Sequence, residues 1–123
     1  MSARRLELLQ WFGFSGAALA WSAQLVAGFW VTQARCNPGG GSGVPNDASQ
    51  LGLLVAAVLV ALAAEAAAAA VYLETRPSDD DDPPARGRLH FLATASLVAN
   101  VLFLAGILLS GIAATADVLC RQS

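Results

Sequence analysis

A chain of 123 residues with 56% hydrophobic and only 13% charged residues carries about half the charge of an ordinary globular domain. With a mean hydropathy of +0.57, it lacks the polar helix faces that a water-soluble core would need and any basic, aromatic-interleaved patch for nucleic acid. The net charge of −2 says little by itself, because the charges are clustered, four of the acids standing together as Asp79 to Asp82.

Three apolar stretches divide the chain: Leu9 to Thr32, Leu51 to Leu73 and Phe91 to Ala116. Each matches the length of a helix crossing a bilayer. The fold class is therefore an all-α integral membrane protein, a single membrane domain over residues 1–123. Its helices are expected at about 9–33, 50–73 and 89–116, with an outer loop at 34–49 and an acidic cytoplasmic loop at 74–88.

The head "MSARRLEL" is basic, and Arg4 and Arg5 favour the cytoplasmic side. Glu7 and the length of the following apolar run argue against a signal peptide, although Thr32 and Ala34 make a weak cleavage-like site. In the first span Gly13, Ala17, Ala20, Gln24, Gly28 and Val31 share one helical face. That face permits close contact with a second helix, and Gln24 can hydrogen-bond across it. Its expected role is packing within the protein's own bundle. Trp11 and Trp30 place an aromatic anchor near each interface. The loop that follows holds Pro38, Gly39, Gly40, Gly41, Gly43 and Pro45 and sustains no regular structure. Its glycine run lacks the Lys-Ser/Thr pair of a phosphate loop.

The second span is expected to start near Ser49 or Gln50, capped by Ser49 or Asp47. Leu54, Val58, Ala61, Glu65, Ala69 and Tyr72 lie roughly along one side. The run Ala66 to Ala70 has so little side-chain volume that neighbouring backbones can approach, and Tyr72 marks the second interface. In the next loop Pro83 and Pro84 stop helix propagation. Its four aspartates lack the alternating spacing of a calcium loop. In the third span Ser96, Asn100, Phe103, Ile107 and Gly111 share a face, and Gly106 and Ser110 form a small-xxx-small pair. His90 sits at the cytoplasmic entry, where lipid headgroups are its expected surroundings.

Arg4, Arg5, Arg76, Arg86 and Arg88 flank one side of the membrane and Arg35 and Arg121 the other. Arginine asymmetry then predicts an N-in, C-out topology. Cys36 and Cys120 both emerge on the outer side, where an oxidising compartment allows a disulfide between the ends of the first and third helices. Such a bridge is worth about 4 kcal/mol on the chain-entropy model. With no His on that side, a metal site there is not expected.

Gln24, Glu65 and Asn100 are the polar residues well inside the spans, one per helix. An ionised carboxylate is costly there, so Glu65 is expected to be neutral or paired. Depths counted from the cytoplasmic entries favour a Glu65–Asn100 pair. The expected role is a polar clamp, within the bundle or against a larger subunit. Proton or ion conduction by Glu65 is the sharper alternative, but transporters normally have more spans or broken helices. His90 lies on the opposite side from both cysteines, so no Cys–His or Ser–His–Asp arrangement forms. Neither an enzyme activity nor a metal or cofactor of its own is expected.

The pattern "WFGFSGAALAWSAQLVAGFWVTQARC", followed by "FLATASLVANVLFLAGILLSGIAATADVLC", resembles small three-helix membrane proteins associated with bacterial haem-copper cytochrome oxidases. The likeness lies in Trp11, Phe12 and Gly13, then Gly16, Ala20, Trp21 and Gln24, with Cys36 and Cys120 just past their helices. It covers the first and third spans; the second span and both loops carry little of it. The resemblance implies a non-catalytic accessory subunit in the bacterial inner membrane. Its partners would be larger integral subunits of a respiratory complex or supercomplex and structural lipids, with any haem held by the partners. The acidic loop and the alanine run depart from the group and leave room for another host, such as a photosynthetic reaction centre or a quinol-oxidising complex. An independent assembly factor or small homo-oligomer is the remaining alternative.

Overall fold

The computed structural model describes residues 2–36, 46–76 and 84–115. The regular structure among them is three helices, α1 (Ala3–Cys36), α2 (Asn46–Thr75) and α3 (Pro84–Thr115). All three are long and apolar enough to cross a membrane. Each overruns its expected span wherever the end is described, because hydropathy marks where a bilayer would begin and not where backbone hydrogen bonding stops.

At the start of α1 the Leu6 N–H donates to Ser2 O (3.0 Å) and the Arg5 N–H to Ser2 Oγ (3.3 Å). Ser2 thus caps the helix, satisfying amides that otherwise lack a partner, and the basic head is helical. Helix α2 opens at Asn46, so Ser49 lies within its first turn and does not cap it. Helix α3 opens on Pro84. A proline at a first helical position loses no hydrogen bond and brings a suitable φ, so Pro84, which resists helix propagation from before, also starts the next helix. The acidic run Asp79 to Asp82, most of the glycine-rich loop and Ala116 lie outside the described residues.

The helices alternate in direction, and each packs against both others. The packing of α1 on α2 is close because side chains are missing from it. A Cβ at Gly13 would come within 2.9 Å of the Ala68 backbone nitrogen, and one at Gly16 within 2.9 Å of Ala64 Cβ. The centre of the bundle consists of Ala17, Ala57, Ala61, Ala64 and Ile107, with Trp21, Leu54, Val58, Phe103 and Leu104 packed around it. Large apolar side chains point outward instead, among them Leu19, Phe29, Leu59, Leu102 and Leu109. In water that distribution would be an aggregation liability. In lipid it is the expected one, because the tails are as apolar as leucine and helix association depends on close packing and interhelical hydrogen bonds.

Candidate functional site

Among the described residues, the polar ones that the bundle buries are Gln10, Gln24, Gln50, Thr75, Ser96 and Asn100, and they fall at successive levels along the helices. Near the middle, Asn100 Nδ2 donates to Gly13 O at 2.9 Å. The Gly13 carbonyl is the acceptor on α1, while the missing side chain of the same residue faces Ala68 of α2. Further along, Gln24 Nε2 donates to Ile107 O at 3.2 Å. One amide therefore reaches from α3 to α1 and the other from α1 to α3, so the two parallel helices are clasped reciprocally.

The expected Glu65–Asn100 pair is not formed. Asn100 gives its amide to the Gly13 carbonyl, while its Oδ1 and Glu65 Oε2 are both buried without a hydrogen-bond partner. Equal depth on adjacent helices was the basis for expecting the pair. The glycine opposite Asn100 offers a competing acceptor that depth alone does not reveal. The buried face of α2 runs through Ala57, Ala61, Ala64, Ala68, Val71 and Thr75, so of the side through Leu54, Val58, Ala61, Glu65, Ala69 and Tyr72 only Ala61 is fully buried.

Two polar levels were not anticipated from the sequence. Gln50 Nε2 donates to Gly28 O (3.0 Å) and lies 3.1 Å from Thr32 Oγ1, tying the first turns of α2 to the last turns of α1. Gly28 leaves room for this, since a Cβ there would stand 3.2 Å from Gln50 Oε1. Gln24, Gly28, Thr32, Gln50 and Ser110 line a cavity of about 440 Å³ at this end. At the opposite end Thr75 Oγ1 stands 2.7 Å from Val71 O and 2.9 Å from His90 Nδ1. A hydroxyl has one proton. With that proton on the Val71 carbonyl, the His90 contact requires an Nδ1–H donating to Thr75 Oγ1. The His90 ring also stacks on Tyr72, with centroids 4.7 Å apart. Tyr72 and His90, expected as separate interfacial anchors, thus form one contact between α2 and α3. Arg86 Nη2 reinforces it, donating to Glu74 O at 2.8 Å.

Of the small residues expected to pack, Gly13 and Ala17 are buried and Ala20 and Gly28 half-buried. Gly106 accommodates the Trp21 indole, whose Nε1 would lie 3.2 Å from a Cβ there, and Trp21 packs on Phe103 with centroids 5.7 Å apart. Ser110 is half-buried and lines the cavity beside Gln24 and Gln50. Trp11 and Trp30 are exposed at opposite ends of α1. Cys120 lies outside the described residues and only the backbone of Cys36 is described, so the expected disulfide falls there too. Among the described residues no three His, Cys, Asp or Glu side chains gather as a metal site would require.

No protein-family model, curated protein or solved structure matches the chain.

Proposed function

We propose that the chain is a non-catalytic accessory subunit of an electron-transfer complex in a bacterial inner membrane, most concretely a haem-copper cytochrome oxidase or its supercomplex. The observation that carries the reading is how little of each span the bundle covers for itself. Only 22%, 33% and 17% of the most apolar windows of α1, α2 and α3 are buried. A core of alanine and glycine leaves the bulky residues as an outer coat that a larger integral subunit, with lipid around it, would cover. The respiratory assignment rests on the resemblance carried by Trp11, Gly13, Gly16, Trp21 and Gln24.

In this reading the first turns of α1 and α3 face the cytoplasm, as the arginine asymmetry requires. Cys36 and Cys120 are joined by a disulfide on the outer side. Purification in a mild detergent tests the assignment: comigration with haem-bearing subunits supports it. A lone or self-associated species would overturn it in favour of an assembly factor or homo-oligomer.

A second reading, conduction of protons or ions through Glu65, is favoured by one observation, the burial of Glu65 Oε2 without a hydrogen-bond partner. Glu65→Gln should then abolish flux in reconstituted vesicles without affecting assembly. Persistent flux would rule Glu65 out as the carrier.

A further inference from the structure

Inside an apolar helix a hydroxyl ordinarily returns its proton to the carbonyl one turn earlier. Ser15, Ser22, Thr94 and Ser96 do so, donating to Trp11, Ala18, His90 and Leu92 O at 2.7–2.9 Å. Among the described residues Thr32 and Ser110 make no such bond. Thr32 Oγ1 instead accepts from Gln50 Nε2, which leaves its own proton without an acceptor there. Ser110 Oγ has no hydrogen-bond partner among the described residues, and unlike Gln24 Oε1 it is not sealed from its surroundings.

Both hydroxyls line the cavity of about 440 Å³ at the end of the bundle where α1 and α3 finish and α2 begins. Gly28, Ser110 and Ala114 fill little of that space, and Gln33 adds an exposed amide to its wall. None of the described lining residues is charged. Leu25 and Phe29 border the cavity and are exposed on the outside of α1, so it can be entered sideways from a bilayer. Its volume falls within the range of small-molecule sites, which combine apolar walls with a few placed polar groups. A hydroxyl proton without an acceptor is costly in such surroundings, and two of them on one wall call for an acceptor from outside the chain. A charged headgroup would meet no counter-charge among the described residues of this wall.

We propose that the cavity holds the uncharged, carbonyl-bearing head of a lipid, with the apolar tail lying along Leu25 and Phe29. Ser110 and Thr32 donate to its carbonyl oxygens. A prenyl quinone and a diacylglycerol both carry this chemistry, as ring ketones in the first and as esters in the second. The inference needs only that the chain lie in a bilayer, so it stands or falls separately from the complex proposed above.

Native mass spectrometry of the purified full chain, supplied in turn with a short-chain ubiquinone, dioleoylglycerol, dioleoyl phosphatidylcholine and squalene, tests it. Squalene has the bulk of a prenyl tail and no carbonyl. At least one of the two uncharged carbonyl lipids should be retained about tenfold better than squalene and phosphatidylcholine, the ratio that two neutral hydrogen bonds supply. Retention of ubiquinone alone assigns the head to a ring ketone, and retention of dioleoylglycerol alone to an ester; either supports the proposal. Ser110→Ala removes a hydroxyl that bonds nothing else among the described residues, so it should leave the melting temperature unchanged and lower the ratio to about threefold. Adding Thr32→Val should bring the ratio to about one; if that pair does not fold, Ser110→Ala alone decides. Ser96→Ala, whose hydroxyl is committed to Leu92 O, should leave the ratio as it was. The proposal is overturned if neither carbonyl lipid is retained above squalene or if phosphatidylcholine is retained equally well. A preference that survives Ser110→Ala, or that Ser96→Ala lowers as much, overturns it too.

Discussion

At the scale of single residues, the bundle depends on where side chains are absent. Gly13 and Gly52 are both helical glycines in apolar surroundings, but a Cβ at Gly13 meets the Ala68 backbone while one at Gly52 meets nothing within 4 Å. Backbone cannot yield as the end of a side chain can. Gly13→Ala should therefore separate α1 from α2 and destabilise the bundle by about 1–3 kcal/mol, the usual cost of overpacking. Gly52→Ala should be neutral or stabilising by up to about 1 kcal/mol through helix propensity. Denaturation in mixed micelles followed by Trp fluorescence compares the two, and equal effects would contradict the packing described. Asn100→Leu is a milder change. It removes the hydrogen bond to Gly13 O but leaves that carbonyl within a helix, so the expected loss in the same assay is about 0.6–1.7 kcal/mol.

At the scale of helices, the existence and order of the three elements were legible in the sequence because uninterrupted apolar runs between Gly/Pro-rich and charged segments leave the backbone no other way to satisfy itself in lipid. The inward face of α1 was legible too, since Gly13, Ala17 and Gln24 repeat at helical spacing and are buried. The face of α2 was not. In a run such as Ala66 to Ala70 every side is alike, and the inward side is chosen by what the neighbours present, here Gly13 and Gly16 against Ala68 and Ala64. Gln50 and Gln10 escaped notice for a related reason: each sits in the first turns of a helix, where a polar residue ordinarily faces water. The Tyr72–Thr75–His90 contact likewise joins residues at interfacial positions, where an aromatic or a histidine ordinarily needs no partner. It now separates two contributions. His90→Phe retains a ring against Tyr72 and loses the hydrogen bond to Thr75, whereas His90→Ala loses both. The alanine variant should be the less stable by about 0.5–1.5 kcal/mol, the worth of a ring pair, and a melting series in one detergent would show the order. Equal losses would mean that the stack contributes nothing.

At the scale of the whole molecule, direction and sidedness are linked. Helices α1 and α3 begin at the same end of the bundle, where α2 ends, so these three helix ends share one side of any membrane that the three spans cross. Which side is cytoplasmic then depends on arginines near the membrane entries. Arg4, Arg5, Arg76, Arg86 and Arg88 stand at one end and Arg35 at the other; Arg121 lies outside the described residues. Three of the five belong to the connection between α2 and α3 or its borders, so in the proposed orientation the signal is given twice, once by the head and once by this later segment. Two independent signals imply a graded response. Replacing Arg4 and Arg5 with Gln should leave most chains oriented as before, while replacing all five should produce a mixed or inverted population. Alkaline phosphatase, active only outside the cytoplasm, reports the result when fused after Ser123. Activity should be high for the natural chain, remain high without the first two arginines, and fall severalfold when all five are gone. A natural chain giving no activity at that fusion would place the C terminus inside. It would also put Cys36 and Cys120 on the reducing side, removing the ground for a disulfide between them.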